Sequence, residues 1–147
     1  MQTNESLEHA MAALAQDPYV GANPELHEFW QAAARHELLV KTCTQCSRAH
    51  WYPRMFCPFC ASEDTEWRKA SGQGKIYAFS EVVRAEPPYI LAYVRLDEGP
   101  VLLTNMVDCD PTALHIDQVV KVLFKPAQEG RSFPVFTPSK KVTRRAT

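Results

Sequence analysis

The sequence feature that most constrains this chain is a pair of Cys-x-x-Cys motifs separated by ten residues. Cys43 and Cys46 form the first motif, Cys57 and Cys60 form the second, and together they include four of the five cysteines. Zinc prefers four ligands in a tetrahedron, and a two-residue spacing lets one tight turn direct both thiolates at one ion. The pattern predicts a structural zinc site, with iron as the alternative metal because it accepts the same four sulfurs.

Four thiolates complete the coordination shell, whereas a catalytic zinc keeps one position open for water or substrate. His50 lies between the two motifs and could replace one sulfur as a ligand, but this interpretation is less favoured. We therefore expect the metal to stabilise the fold of this segment, by on the order of 10 kcal/mol. Lys41, Arg48 and Arg54 lie beside the ligands, where they either offset the negative charge of the site or are ordinary surface charges.

The remaining sequence divides by pattern into helical and β-type segments. Residues 1–37 are helical, with a break expected over residues 16–24 and a new helix capped by Asn23. Residues 38–66 form the predicted zinc ribbon. Residues 67–138 contain five β-type runs, which suit a small closed barrel, and a one-turn helix capped by Asp110. Residues 139–147 are expected to form a flexible basic tail.

Composition excludes several functional classes. With 147 residues and 46% hydrophobic residues, the chain can bury a core of its own. Its net charge of −1 provides no broad basic field for a polyanion. No apolar run approaches the length of a membrane span, and the N-terminus has no signal-peptide core, so we expect a cytoplasmic protein. A reducing compartment favours metal binding over disulfides at the cysteine pairs.

Several motifs occur together and in one order along residues 26–138. Besides the cysteine pairs they are Ser71-Gly72-x-Gly74, Pro87-Pro88-Tyr89 and Asp97-Glu98-Gly99. In this combination the chain closely resembles a family of OB-fold proteins with an N-terminal rubredoxin-like zinc ribbon, long catalogued as a domain of unknown function. The resemblance implies a mainly β protein, built from N-terminal α-helices, the ribbon and a five-stranded OB-fold barrel.

The resemblance also implies a function. Members of this family act as small non-catalytic subunits in hetero-oligomers with enzymes of acyl-CoA metabolism. We expect a thiolase-like enzyme as the partner, with an acyl-CoA hydratase or an aldolase as the alternative. The partner is expected to supply the catalytic groups, and the small subunit to help shape the channel for the CoA ester.

The chain departs from the family pattern at positions where glycine is usual. Ser47 follows the first cysteine pair, His36 lies at a helix end, and Gln118 precedes a barrel strand. We expect Ser47 and His36 to adopt positive φ, at a cost of about 1 kcal/mol each.

Two sets of binding residues are predicted. The loop between the cysteine pairs carries more apolar surface than a small ribbon can bury, and aromatic side chains are typical interface residues. The predicted partner surface comprises Phe29, Trp30, Trp51, Tyr52, Met55 and Phe56. The predicted CoA-binding residues are Lys41, Arg48 and Arg54, with Lys69, Lys125 and Arg131 as further candidates on the barrel.

Two other functional classes are less favoured. A barrel that binds single-stranded nucleic acid would use aromatic residues such as Tyr77, Phe79, Tyr89 and Tyr93, but packing is their commoner role. Over residues 70–138, eight acidic residues outnumber six basic ones, which disfavours phosphate binding. An independent enzyme would need a recognisable nucleophile, and Cys109 is better interpreted as a small buried hydrophobic residue.

Overall fold

The computed structural model describes residues 3–140. Its helices are α1 (Asn4–Gln16), α2 (Pro18–Ala22) and α3 (His27–Ala34), with 3-10 turns at Pro24–Leu26 and Pro111–Ala113. Its strands are β1 (Leu39–Cys43), β2 (Ala49–His50), β3 (Thr65–Lys69), β4 (Gln73–Val82), β5 (Tyr89–Leu96), β6 (Val101–Met106), β7 (Val119–Pro126) and β8 (Ser132–Pro138). The mainly β fold class is confirmed. Of the predicted basic tail, residues 141–147 lie outside the described residues.

The helical segment differs in detail from its prediction. The break after Gln16 is confirmed, but the residues that follow form α2, because the Asp17 carboxylate accepts hydrogen bonds from the N–H groups of Tyr19 and Val20. The prediction that Asn23 caps the next helix is wrong. Its side-chain amide donates to the Tyr19 carbonyl at 2.8 Å, and a 3-10 turn precedes α3.

The ribbon is a three-stranded antiparallel sheet with β1 between β2 and β3. Lys41 of β1 pairs with His50 on one side and with Trp67 on the other. The hydrogen bonding between the strands continues past β3, since the Ala70 N–H donates to the Leu38 carbonyl at 2.8 Å. The predicted boundary between residues 66 and 67 therefore lies inside a strand of the ribbon sheet, and the barrel strands begin at β4.

The five predicted barrel strands are present and close in the order β4-β5-β6-β8-β7. Pairing of β7 with β4 closes the barrel, and β6 meets β8 in parallel where Met106 lies beside Phe136. The predicted one-turn helix is the 3-10 turn after Asp110, whose Oδ1 accepts a hydrogen bond from the Thr112 N–H at 2.9 Å.

Two glycines of the Ser71-Gly72-x-Gly74 motif permit close packing where the barrel begins. Gly72 has a φ of +77°, and a Cβ at this position would lie 2.6 Å from Cγ1 of Val122. A Cβ at Gly74 would lie 2.6 Å from the carbonyl oxygen of Arg95 on the neighbouring strand. Since real Cβ contacts are longer than this, both positions require glycine.

One hydrophobic core joins all three parts of the chain. It includes Phe29 of α3, Leu38 and Val40 beside or within β1, and the inward-facing side chains of the barrel. Along β5, the buried positions are Ile90, Ala92, Val94 and Leu96.

A buried ion pair links the helices to the loop between β7 and β8. Arg131 Nη1 lies 2.8 Å from Asp17 Oδ2, and the Asp17 side chain is fully buried. In the same loop, a Cβ at Gly130 would lie 2.8 Å from Cβ of Ala13 in α1. The helices are therefore fixed to the barrel by close packing as well as by charge.

Candidate metal centre and surrounding surface

Two similar turns present the four cysteines. Cys43 ends β1, and the N–H of Cys46 lies 3.5 Å from the Cys43 sulfur, as expected of a turn that returns toward its first ligand. In the second turn, the N–H of Phe59 lies 3.4 Å from the Cys57 sulfur, and the Cys57 carbonyl accepts a hydrogen bond from Ala61. Each turn thus directs two sulfurs toward one point.

The distances between the sulfurs fit one metal ion. All four Sγ atoms lie within 4.8 Å of one another, and the Cys43–Cys60 and Cys46–Cys57 pairs are each 3.6 Å apart. A tetrahedron with metal–sulfur bonds of about 2.3 Å has edges of about 3.8 Å. Among residues 3–140 no other group of His, Cys, Asp or Glu residues comes together in this way, and His50 does not belong to the group. The set fits structural zinc.

Backbone N–H groups favour the thiolate form at this site. Burial alone would raise the pKa of the Cys57 thiol, but hydrogen bonds from the N–H groups of Phe59 and Cys60 outweigh it and lower that pKa to about 7. In the same turn, the Ser62 N–H lowers the pKa of the Cys60 thiol, but burial and the sulfurs of Cys43, Cys57 and Cys46 outweigh it and raise that pKa to about 12. The backbone therefore favours the thiolate at Cys57, and metal binding would release the proton that the crowded sulfurs retain on Cys60.

The residues predicted to meet a partner separate into three groups by exposure. Met55, Phe56 and Tyr52 are exposed, with 72%, 53% and 45% of their surface accessible. Trp30 and Trp51 are half-buried. Phe29 is only 4% exposed and belongs to the core, so its prediction as a surface residue is wrong. It lies on the inner side of the apolar stripe of α3, with its ring centroid 5.0 Å from that of Trp30.

An aromatic pocket of about 260 Å³ forms where the helices, the ribbon loop and the barrel meet. Its aromatic lining includes Tyr19, Trp30, Trp51 and Tyr52. The Tyr19 and Tyr52 hydroxyl groups lie 3.3 Å apart at the surface, and the buried indole Nε1 of Trp30 has no hydrogen-bond partner among residues 3–140. The structure thus brings together residues that are distant in sequence and leaves one donor unsatisfied.

Sequence reasoning missed an exposed apolar face on the barrel. The outward positions of β4, β5 and β6 include Tyr77, Tyr89, Leu91, Tyr93 and Leu103, each more than a third exposed. The tyrosines were expected to pack, and this expectation is wrong for all three. Inward and outward residues of β5 are both largely apolar, so no alternation in the sequence identified the outer face.

The predicted CoA-binding residues are only partly brought together. Arg48 and Arg54 line one groove between the ribbon and the barrel, and Arg95, which was not predicted, lines it too. Lys41 instead lies over the Trp67 ring, with its ammonium 4.6 Å from the ring centroid. The further candidates are all in ion pairs: Lys69, which belongs to β3 of the ribbon sheet and not to the barrel, with Glu37, Lys125 with Asp108, and Arg131 with Asp17.

Cys109 is half-buried and packs against the core. Burial raises the pKa of its thiol, and the neighbouring charges of Asp108 and Asp110 raise it further. The environment therefore holds this sulfur in the neutral, weakly nucleophilic form. Across residues 3–140 no helix has the length and hydropathy needed to cross a membrane.

Comparison with known families matches the ribbon and the barrel to two separate domain models. Residues 30–66 match the model of the ChsH2 rubredoxin-like zinc ribbon domain, and residues 67–125 match that of the ChsH2 C-terminal OB-fold domain. A DUF35 domain-containing scaffold protein of Methanothermobacter thermautotrophicus is 31% identical over 102 residues, covering 65% of this chain and 77% of the relative. A probable enoyl-CoA hydratase alpha subunit of Thermomonospora curvata is 32% identical over 119 residues, covering 76% of this chain but only 37% of that larger protein.

Two solved structures have a fold similar to that of this chain. The Ltp2-ChsH2(DUF35) aldolase contains a chain with a TM-score of 0.69 and 30% identity, covering 77% of this chain and 93% of that one. A DUF35 family protein of unknown function from Sulfolobus solfataricus has a TM-score of 0.57 at 14% identity, which supports the fold. The chain therefore belongs to the DUF35 family, and its four-cysteine ribbon and its barrel match the models of the ChsH2 zinc ribbon and OB-fold domains.

Proposed function

We propose that this chain is a non-catalytic subunit that binds a thiolase-like enzyme and supports its handling of an acyl-CoA substrate. The names of its relatives support the general role, since they include scaffold proteins, a hydratase subunit and a component of an aldolase. A scaffold subunit requires a rigid apolar surface that binds a partner. This surface stays exposed to solvent when the subunit is alone.

The observation that carries the proposal is the exposure of the ribbon loop. Met55, Phe56 and Tyr52 expose 72%, 53% and 45% of their surface on a loop held between two metal-binding turns. Burying one such side chain fully contributes about 1.5–3 kcal/mol. Because the metal fixes the loop before binding, little conformational entropy is lost when a partner covers it.

The aromatic pocket beside the loop supplies a second contact. It lies between residues of α2 and α3, the ribbon loop and β6, so a partner side chain inserted there would contact all three parts of the chain. The Nε1–H of Trp30, which has no acceptor in the described part of the chain, would donate to a carbonyl of the partner, and this would remove the cost of burying the donor alone. Tryptophan in such a position is a typical interface hot spot.

The partner surface is tested by co-expression with the acyl-CoA enzymes encoded beside this chain, followed by size-exclusion chromatography. Met55→Asp should weaken assembly at least about tenfold, because a charge would be buried in an apolar contact. Trp30→Phe keeps a smaller aromatic ring and removes the donor, and it should weaken assembly less. Ile116→Asp is the matched control, since Ile116 is 53% exposed but lies outside the loop and the pocket.

The identity of the co-eluting enzyme distinguishes the alternatives. A thiolase-like partner supports the proposal, and a thiolysis or condensation assay then measures the contribution of this subunit. An aldolase or a hydratase supports the alternative that the names of the two relatives favour. If the chain elutes alone beside every acyl-CoA enzyme tested, the accessory function is refuted.

A further inference from the structure

Five aromatic side chains form a closed circle at the aromatic pocket. The ring centroids of Tyr19 and Trp30 are 6.1 Å apart, and those of Trp30 and Phe29 are 5.0 Å apart. From Phe29 the circle continues to Trp51 at 5.4 Å and from there to Tyr52 at 5.8 Å. The two tyrosine hydroxyl groups complete the circle at 3.3 Å. Three of the four ring pairs are nearly perpendicular, and such edge-to-face contacts hold the rings as fixed walls before a ligand arrives.

The pocket is uncharged, but a cation lies beside it. Among residues 3–140, no Asp, Glu, Lys or Arg side chain lines it. The Arg131 guanidinium carbon lies outside the lining, 4.8 Å from the Tyr19 ring centroid and 5.6 Å from that of Trp30, and is ion-paired with Asp17. A cationic ligand would use the ring faces of an aromatic pocket, but the protein's own guanidinium already lies over two of these rings. The pocket therefore favours a neutral ligand.

Hydrogen-bond donors are available at the pocket. The hydrogen bond between the Tyr19 and Tyr52 hydroxyl groups uses one hydrogen and leaves the other to donate to a ligand. Burial raises the pKa of Tyr52 to about 12, together with the hydrogen bond from Tyr19, so this hydroxyl keeps its proton at neutral pH. The Trp30 Nε1–H is a further donor, which has no acceptor within residues 3–140. A ligand that presents carbonyl oxygens matches this set.

The size of the pocket indicates a part of a larger ligand. Its volume is about 260 Å³. Sites for whole small molecules usually measure about 300–1,000 Å³. Pro53 lines the pocket, and the exposed Met55 and Phe56 follow it on the ribbon loop. A polypeptide that lies on this loop would therefore reach the pocket with one of its side chains.

We propose that the aromatic pocket binds a proline-containing extended segment of the partner protein, with a prolyl ring between the aromatic walls. That this segment belongs to the partner enzyme rests on the proposed function, whereas the preference for proline rests on the pocket itself. Proline is neutral and apolar, and it has a carbonyl acceptor but no backbone N–H. Any other extended segment would bury N–H groups against rings that accept no strong hydrogen bond.

The conformation of such a segment also suits this surface. Proline-rich segments adopt the polyproline II helix before they bind, and they dock in grooves lined by aromatic side chains. Little conformational entropy is then lost on either side, because the rings of the pocket are already fixed by one another.

The test titrates the isolated, metal-loaded full-length chain with peptides and follows the indole N–H signals by nuclear magnetic resonance. The chain has three tryptophans, of which Trp30 and Trp51 line the pocket and Trp67 does not. The probes are acetylated hexaproline amide, an alanine–serine peptide of the same length, and tetramethylammonium as a cation. We expect hexaproline to bind with a dissociation constant below about 1 mM and the alanine–serine peptide to bind at least about tenfold more weakly. The signals of Trp30 and Trp51 should shift more than that of Trp67.

Substitutions of an exposed tyrosine locate the binding site. Tyr52→Ala removes one wall of the pocket and should weaken hexaproline binding at least about tenfold. Tyr52→Phe keeps the ring and removes the hydroxyl donor, so it should weaken binding about threefold. Tyr77→Ala is the matched control and should leave binding unchanged, because Tyr77 is 56% exposed on β4, which β5 separates from β6. The melting temperature of each variant shows that the fold is retained.

Four results would overturn the proposal. It is wrong if hexaproline shifts no indole signal at millimolar concentration, or if the alanine–serine peptide binds as well as hexaproline. It is also wrong if Tyr52→Ala changes binding no more than Tyr77→Ala does. Shifts of the Trp30 and Trp51 signals with tetramethylammonium but not with hexaproline assign the pocket to a cation instead.

The peptide assay separates this proposal from the accessory function. Hexaproline binding by a chain that assembles with no acyl-CoA enzyme would refute the accessory function and retain the prolyl site. Conversely, assembly with an enzyme by a chain that does not bind hexaproline would refute the prolyl site alone.

Discussion

Single residues with positive φ show how the metal-binding turns are built. Ser47 and His36 have φ values of +62° and +61°, as predicted from the glycines that the family usually has at these positions. Ala61, which follows the second cysteine pair, has the same conformation at +61°. Gln118 is the third position at which the family usually has glycine, but the residue with positive φ there is its neighbour Asp117, at +65°. The two metal-binding turns therefore share one backbone requirement, which only glycine meets without strain.

Replacing Ser47 by glycine should stabilise the metal-loaded protein. Relief of the strained φ raises the free energy of unfolding by about 1 kcal/mol, and the greater entropy of the unfolded chain offsets part of this gain. Ala61→Gly should act in the same direction. Chemical denaturation measures both. Glu63→Gly is the control, because Glu63 is exposed and has no positive φ, so glycine should destabilise there. A loss of stability in Ser47→Gly as large as in the control would contradict the explanation.

At the scale of elements, the Asp17–Arg131 pair is one of the contacts that hold the helices on the barrel. The Asp17 carboxylate caps α2 and binds Arg131 in the loop between β7 and β8. Burial alone would raise the pKa of Asp17, but the hydrogen bond from Arg131 and those from Val20 and Tyr19 lower it below its ordinary value of 3.8. The ionised carboxylate therefore stabilises the folded state.

Asp17→Ala should lower the free energy of unfolding by about 3 kcal/mol near neutral pH, since it leaves Arg131 without its buried partner. Asp17→Asn keeps an oxygen for the cap and should cost less. Because the folded pKa is depressed, the contribution of Asp17 is complete above pH 3.8 and is lost as the pH falls through the lower folded value.

Denaturation of the wild type and Asp17→Asn as a function of pH measures this contribution. The difference between their unfolding free energies should be constant above pH 4 and should narrow below it. A difference that does not change with pH would show that the charge of Asp17 makes no contribution.

For the whole molecule, the sequence predicted the individual strands and turns better than the contacts between the helices, the ribbon and the barrel. The five barrel strands and the cysteine turns follow from local patterns, namely β-type runs between turn signals and a fixed cysteine spacing. The short helix α2 was not predicted because Pro18 and Gly21 indicate a break in a helix, although Asp17 is a suitable cap and proline fits the first helical position. Phe29 was placed on the surface because periodicity identifies an apolar stripe but not its innermost residue. Arg95 reaches the groove between the ribbon and the barrel only through the folding of the barrel.

Since helices, ribbon and barrel share one core, metal removal should destabilise all of them. We expect about one zinc ion per chain, and a chelator should lower the melting temperature measured by barrel and ribbon signals alike. Cys57→Ser should abolish metal retention, whereas Cys109→Ser, outside the site, should retain it. Visible absorbance from bound iron would overturn the assignment to zinc. Unchanged barrel melting after chelation would contradict the coupling.

The position of β3 determines where the ribbon and the barrel of this architecture could be separated in an engineered chimera. The two family models meet between residues 66 and 67, but β3 continues from Thr65 to Lys69 and completes the sheet around β1. A piece that ends at residue 66 would remove most of the edge strand and expose the hydrogen-bonding groups of β1. A chimera joined between residues 66 and 67 would therefore combine a ribbon and a barrel from different proteins within one strand. A functional chimera must carry the donor's residues through at least Ala70.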